Sequence, residues 1–184
     1  MNRTITLTMF LVGLTLAACS RNNRANLLGP ALDDTQPDQS QSDASAIVQN
    51  GFAENGLMAQ SFKPTASVLT RVEVGFHMIE EKGRVEIRTN NGGKPSTETL
   101  ATAGLVNVKD QARLAEGTFL PPLTLAPGTT YWIVFYPLAA KNTAVSYGAA
   151  VTTDKYPAGT ALYTNNGGDL WTDTLQDCAF TTFR

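Results

Sequence analysis

The chain is poor in the residues from which metal sites and nucleophilic sites are usually built. Its 184 residues include one histidine, His77, and two cysteines, Cys19 and Cys178. Structural zinc sites need clustered cysteine and histidine, and a Ser-His-Asp triad needs a histidine beside its serine. The sequence therefore gives no basis for a zinc site, and a catalytic triad would have to use His77.

Charge of either sign is also scarce. Lys and Arg number 14 against 16 Asp and Glu, which gives a net charge of −2 at pH 7. A chain this close to neutral has no strong electrostatic attraction for nucleic acid or for anionic lipid. Nucleic acid is therefore not expected as a partner.

Long apolar runs are missing except at the N-terminus. There Arg3 precedes an apolar stretch from Ile5 to Leu16, which is too short to span a bilayer and is typical of a secretory signal peptide. The stretch ends in Leu16-Ala17-Ala18-Cys19, where small residues are followed directly by cysteine. This tetrapeptide resembles the lipobox of bacterial lipoproteins.

The lipobox resemblance implies that residues 1–18 are a signal peptide and that Cys19 becomes the first mature residue. Cys19 would then carry acyl chains, such as palmitate, and hold the protein to a membrane of the cell envelope. Ser20 stands where an aspartate signals inner-membrane retention in many Gram-negative bacteria, so the outer membrane is favoured if the organism uses that rule. The alternative is an ordinary secretory signal beside which a cysteine happens to lie.

Residues 19–48 are mostly polar and contain few side chains that could build a core. Low hydrophobicity of this kind is typical of disorder. The sequence therefore predicts a flexible linker of about 30 residues, with a root-mean-square span of about 30 Å.

From residue 49 to residue 184 the apolar residues recur with the period of β-strands. Thr70–Met78 and Arg84–Arg88 alternate clearly and are separated by a turn, which predicts a hairpin. The register that aligns their apolar faces places His77 opposite Glu86. Such a pair could exchange protons, but it is more commonly a charge pair on a solvated sheet face.

Four further segments have the pattern of strands. Ala161–Thr164 and Asp169–Thr172 flank Asn165–Gly168, a turn sequence that predicts a second hairpin. Tyr131–Tyr136 is apolar on both faces and predicts a central, covered strand, and Ala179–Phe183 predicts a terminal one. Because no segment shows helical periodicity, residues 49–184 are predicted to form an all-β fold, an antiparallel sandwich.

Several stretches of this region together resemble the bacterial surface domain called the choice-of-anchor R domain. They are Ala59–Pro64, Val85–Thr89, Gly92–Pro95, Leu125–Val134, Tyr156–Ala161 and Asp177–Phe180. The resemblance covers about residues 57–184. It implies a jelly-roll-like sandwich, similar to non-catalytic carbohydrate-binding modules, and it carries over no established family activity. One departure is Tyr147, where such domains often have tryptophan.

The remaining candidate sites are aromatic or acidic. Exposed rings stack on sugar faces, which makes Tyr147, Tyr156 and Trp171 candidate ligand-binding residues; the alternative is that they belong to the core. A structural calcium ion could use amide and carboxylate oxygens. The side chains available for it are Asn90, Asn91, Asp169 and Asp173.

A glycosidase needs two carboxylates that face each other across a cleft, and nothing in the sequence pairs Glu73, Glu86, Glu98 or Asp169 in that way. Cys178 is expected to be a small buried residue rather than a reactive thiol. The sequence therefore predicts a lipid-anchored, non-catalytic protein that binds a ligand, with a glycan as the leading class. The alternative is a structural or assembly lipoprotein that binds an envelope protein.

Overall fold

The structure is a computed structural model that describes residues 35–42, 46–48, 55–77, 83–108, 114–138, 148–153 and 156–184. These residues belong to one compact unit, Leu32–Arg184. No helix capable of crossing a membrane is found among them. The strands, in chain order, are β1 (Pro37–Gln41), β2 (Ala46–Val48), β3 (Leu57–Phe62), β4 (Val68–Val74), β5 (Phe76–His77), β6 (Gly83–Asn91), β7 (Lys94–Asn107), β8 (Ala115–Thr124), β9 (Tyr131–Pro137), β10 (Gly148–Thr153), β11 (Ala161–Thr164), β12 (Thr172–Asp173), β13 (Gln176–Cys178) and β14 (Phe180–Phe183).

The predicted all-β, antiparallel fold is confirmed. Ten strands form one sheet in the order β1-β14-β4-β8-β7-β6-β9-β3-β11-β12. A smaller sheet has the order β13-β10-β2, with β5 also paired to β10. Within the described residues, all twelve strand pairings are antiparallel.

The ten-stranded sheet curls around one hydrophobic cluster. Strands β7 and β8 are paired only at Val106–Glu116 and Asn107–Ala115, so the sheet consists of two halves that meet at this corner. Side chains from both halves pack in a single buried group, which we call the inner cluster. It includes Phe62, Val72, Val74, Phe76, Val85, Ile87, Ile133, Phe135, Cys178 and Phe180.

Strand β9 is covered on both faces, as its sequence predicts. It lies between β6 and β3, and its residues from Tyr131 to Phe135 are all buried. Ile133 and Phe135 belong to the inner cluster, whereas Trp132 and Val134 point to the opposite face. A second hydrophobic cluster lies on that opposite face, and we call it the outer cluster. It comprises Leu57, Ala59, Trp132, Val134, Leu162 and Trp171.

The first predicted hairpin is wrong. Strand β4 pairs with β8 and β14, while β6 pairs with β7 and β9. The alternating pattern determines which face of a strand is buried but not which strand lies beside it. Gly92 and Gly93, at φ 59° and 82°, instead form a two-residue turn that closes a hairpin between β6 and β7. His77 is consequently paired with Gly148, and Glu86 with Thr102 and Val134.

The second predicted hairpin is present with a wider loop. Strands β11 and β12 pair through Leu162–Asp173 and Tyr163–Thr172, two residues further along than expected. A shift of two residues keeps each side chain on its face of the sheet. Leu162 and Trp171 therefore still share one face, in the outer cluster.

Strands β1 and β2 lie within residues 19–48, where the sequence predicts a disordered linker. Strand β1 pairs with β14, and β2 pairs with β10. The Asp38 carboxylate accepts hydrogen bonds from the backbone N–H groups of Thr65 and Ala66. The hydropathy of the sequence does not predict β1, because this strand is stabilised by hydrogen bonds rather than by the burial of apolar side chains. The proposed signal peptide and the linker up to residue 34 lie outside the described residues.

Two strand segments pass from one sheet to the other at the same place. Gly75 separates β4 from β5, and Ala179 separates β13 from β14. The N–H group of Gly75 donates to the carbonyl oxygen of Ala179 at 2.7 Å. This bond joins the two crossing points.

Candidate functional site

Two of the residues singled out in the sequence, Cys19 and Tyr147, lie outside the described residues. Tyr156 is only 8% exposed and belongs to the inner cluster. Its ring packs edge-on against Phe180, with the ring centroids 5.1 Å apart. Its hydroxyl donates to Gln39 Oε1 at 2.9 Å and accepts from the Lys63 N–H. Tyr156 thus links β1 to the core and presents no open ring face.

Trp171 is also only 8% exposed, but it belongs to the outer cluster. A Cβ atom placed on Gly168 would lie 3.6 Å from Cζ2 of Trp171 and 3.7 Å from Leu57. The glycine turn therefore lies directly against the indole. Because Tyr156 and Trp171 pack into different clusters, the structure does not bring them together as one exposed platform.

The candidate calcium ligands are spread along the ten-stranded sheet. Asn90 and Asn91 end β6, whereas Asp173 lies on β12, and β9, β3 and β11 intervene. Asn90 Oδ1 accepts from Trp132 Nε1 at 2.9 Å, and Asp173 Oδ1 accepts from the Leu175 N–H at 2.7 Å. Asp169 is exposed in the loop before β12. Among the described residues, no three His, Cys, Asp or Glu side chains are grouped as metal ligands.

Cys178 is fully buried in the inner cluster, as predicted. Burial, together with the neighbouring Asp177 carboxylate, raises the pKa of its thiol far above the ordinary value. A thiol that stays protonated is a poor nucleophile, so Cys178 acts as a core residue.

On the face opposite the inner cluster, a group of interacting polar side chains surrounds Glu86. The Glu86 carboxylate, in β6, accepts from Nε and Nη2 of Arg88 at 2.8 and 2.6 Å. It also accepts from the hydroxyls of Tyr136 and Thr99, at 2.7 and 3.1 Å. We call these four side chains the Glu86 cluster. They come from three adjacent strands, because β6 lies between β7 and β9.

The local sequence explains why these groups meet. Residues two apart on a strand share a face, so Glu86 and Arg88 point to the same side. Glu86 is paired with Val134, which places Tyr136, two residues further along β9, diagonally beside it. Thr99 is paired with Arg88 on the other side. Since Trp132 and Val134 precede Tyr136 on the same face, the Glu86 cluster adjoins the outer cluster.

The pKa values of Glu86 and Tyr136 are both shifted further from 7. Burial acts to raise the pKa of Glu86, but the hydrogen bonds from Tyr136 and Arg88 outweigh it, and the pKa is lowered. Burial, and then the bond to Glu86, raises the pKa of Tyr136. A general acid or base works best with a pKa near the operating pH. The cluster is therefore suited to hydrogen bonding rather than to proton transfer at neutral pH.

The lowered pKa predicts a pH-dependent contribution to stability. Because the folded-state pKa of Glu86 lies below its ordinary value of 4.5, the contribution is complete above that value and is lost as the pH falls through the folded-state pKa. At pH 6, Glu86→Gln should lower the free energy of unfolding by about 1–2 kcal/mol. At pH 3 this difference should shrink.

Urea unfolding of both proteins at the two pH values measures this effect. Glu98→Gln is the matched control, because Glu98 is an exposed glutamate on the neighbouring strand. A deficit in Glu86→Gln that stays constant from pH 6 to pH 3 would contradict the role given to the carboxylate.

Sequence reasoning did not identify the Glu86 cluster as a site. The sequence predicts that Glu86 lies opposite His77 and that Tyr136 is only part of an apolar strand. The available signal was the alternation Trp132-Val134-Tyr136, which places a phenol at the polar end of the outer face of β9. Without the β6–β9 pairing, nothing in the sequence connects that phenol to Glu86.

The comparisons with known proteins add no relative. Neither the scan against protein-family models nor the search of curated proteins gave a match to this chain.

Proposed function

We propose that the protein is a lipid-anchored, non-catalytic component of the bacterial cell envelope whose β domain binds a glycan at the Glu86 cluster. The lipobox-like tetrapeptide supports the anchor at Cys19, and Ser20 favours the outer membrane if the organism is Gram-negative. The resemblance to choice-of-anchor R domains supports a displayed, non-enzymatic domain.

The observation that carries the proposal is the Glu86 cluster itself. It holds a carboxylate, a guanidinium, a phenol and a hydroxyl in fixed positions on the outer face of β6, β7 and β9. Tyr136 is half-buried, while Arg84 on β6 and Thr102 on β7 are exposed. A few positioned polar groups beside an apolar surface are the usual means of orienting a ligand that carries hydroxyl groups. Arg84 and Thr102 supply further hydrogen-bonding groups that a glycan can reach.

The experiment is a binding assay with the full-length lipoprotein in detergent, using peptidoglycan fragments, lipopolysaccharide oligosaccharides and extracellular polysaccharides as probes. Tyr136→Phe removes the hydroxyl that donates to Glu86 and should weaken binding at least fivefold. Tyr163→Phe is the matched control, because Tyr163 is also half-buried but packs against the inner cluster. No binding to any probe, or equal weakening in both variants, would overturn the proposal.

A second candidate function is that of an assembly lipoprotein with a protein partner. It is favoured by four exposed leucines among the described residues, Leu120, Leu138, Leu170 and Leu175, which are 86%, 43%, 64% and 81% exposed. Cross-linking in native membranes separates the two functions. An assembly protein should yield one dominant protein adduct, whereas a glycan binder should yield none.

A further inference from the structure

Arg84 lies beside the Glu86 cluster, towards the start of β6. It is paired with Tyr136 on β9 and with Gly104 on β7, and it is exposed. Because residues two apart on a strand share a face, Arg84 points to the same side of the sheet as Glu86. The Arg84 side chain also donates a hydrogen bond to the Tyr136 hydroxyl, which itself donates to Glu86. Arg84 is therefore connected to the cluster and accessible to a ligand.

The charge of Arg84 is not balanced by the cluster. The Glu86 carboxylate already accepts two bonds from Arg88, so the charges of that pair cancel. The ion pairs found within the described ranges involve Arg71 and Arg88 but not Arg84. A guanidinium has five N–H donors, and a single hydroxyl oxygen occupies only part of this capacity. Arg84 and the cluster together hold two guanidinium groups and one carboxylate, a local excess of positive charge in a chain whose net charge is −2.

Strand β7 leaves room for a ligand group beside Arg84. Gly104 lies directly opposite Arg84, and a Cβ atom placed on this glycine would meet no atom within 4 Å. Its neighbours on the same face of β7, Thr102 and Val106, are both exposed. A ligand can therefore approach the guanidinium over bare backbone, with a hydroxyl on one side and an apolar side chain on the other.

We propose that the ligand of the Glu86 cluster is an acidic glycan, whose carboxylate or phosphate group pairs with Arg84 in the space over Gly104. This inference rests on the proposed glycan binding and adds the chemical class of the ligand. A planar guanidinium matches the oxygen atoms of a carboxylate or phosphate two at a time, and such charged contacts are stronger than bonds between neutral groups. A neutral sugar would satisfy the hydroxyl groups of the site but would leave its positive charge without a counterpart.

Pairs of oligosaccharides that differ only in whether the acidic group is present test this preference. Oligogalacturonate and its methyl ester test the carboxylate, and a phosphorylated oligomannoside with its dephosphorylated form tests the phosphate. The full-length lipoprotein in non-ionic detergent should bind the acidic member of at least one pair about tenfold more tightly than the neutral member. Arg84→Gln should abolish this difference and leave binding of the neutral member nearly unchanged. Arg84→Lys, which keeps the charge but not the planar fork, should retain part of the difference.

Lys94→Gln is the matched control, because Lys94 is an exposed cation in the same β6–β7 hairpin, at the end of β7 far from Gly104. This variant removes the same unit of charge and should keep the full preference for the acidic member. Gly104→Val should weaken binding of the acidic member more than that of the neutral member, because its side chain fills the space beside Arg84.

Equal affinities for both members of both pairs, with Tyr136→Phe still weakening them, would overturn the acidic class and leave glycan binding in place. An equal loss of preference in Lys94→Gln would reveal a general attraction between charges, and the role of Arg84 would then be wrong. If neither pair binds at all, the acidic class is also wrong, and the wider set of glycan probes decides separately whether the domain binds a glycan.

Discussion

Replacement of Cys19 by alanine is expected to transfer the protein almost completely from the membrane fraction to the soluble fraction. In the lipobox interpretation, Cys19 provides both the thiol and the amino group that carry the acyl chains. Each buried methylene contributes about 0.8 kcal/mol, and a protein with two or more chains stays bound where a singly acylated one dissociates. Removal of the cysteine removes every chain at once.

Metabolic labelling with an alkyne-bearing fatty acid, followed by fractionation, measures this effect. The matched control is Cys178→Ala, which removes the other cysteine of the chain from its fully buried position. Label and membrane attachment should persist in Cys178→Ala and disappear in Cys19→Ala. Retention of Cys19→Ala in the membrane after high-salt washing would refute the lipid anchor.

The largest loss of folding stability is expected for Gly159→Ala. A Cβ atom at this position would lie 2.8 Å from Cδ1 of Tyr156 and closer still to the carbonyl oxygen of Ser61. Backbone cannot rotate away as a side chain can, so the chain around Gly159 would have to shift. That shift would disturb the bonds between Ser61 and Thr160, whose backbone N–H groups donate to Thr160 O and Ser61 Oγ at 3.0 and 2.8 Å.

Overpacking of this kind costs up to about 3 kcal/mol. The melting temperature should then fall by about 6–12 °C, which calorimetry or circular dichroism can measure. Gly104→Ala provides the control, because a Cβ atom on Gly104 in β7 meets no atom within 4 Å. Its melting temperature should be unchanged or slightly raised, since alanine restricts the unfolded chain. Similar losses in both variants would contradict the argument from close packing.

The parts of the fold that the sequence predicts well are those determined by burial. Strand β9 is predicted to be central because it is apolar on both faces, and the structure buries Tyr131 to Phe135. The alternation of Cys178 with Phe180 predicts that Cys178 lies in the core, and the structure buries it completely. Burial is a property of a single strand and can be read from its own residues.

Strand neighbours could not be predicted in the same way. The sequence predicts the wrong partner for Glu86, because the alternation in β6 fits several strands equally well. The pentapeptide Thr89–Gly93 recurs at Thr164–Gly168, yet only the first copy closes a two-residue turn. Strand β1 has no apolar pattern from which it could be predicted, because it is held by hydrogen bonds such as that between Gln39 and Tyr156. The Glu86 cluster depends on two strand pairings, β6 with β7 and β6 with β9, which the residues of the three strands do not determine.

The pairing of β1 with β14 has a consequence for the order of biogenesis. The N–H of Gln39 donates to the hydroxyl of Thr182, a residue 143 positions later in the chain. Contacts between such distant residues form slowly and require both partners to be free of the export machinery. If the chain is secreted as its N-terminal tetrapeptide implies, strand β1 has no partner strand until β14, with Thr182, has also crossed the membrane. The chain would thus remain in a translocatable, incompletely folded state throughout transit and close only on the far side.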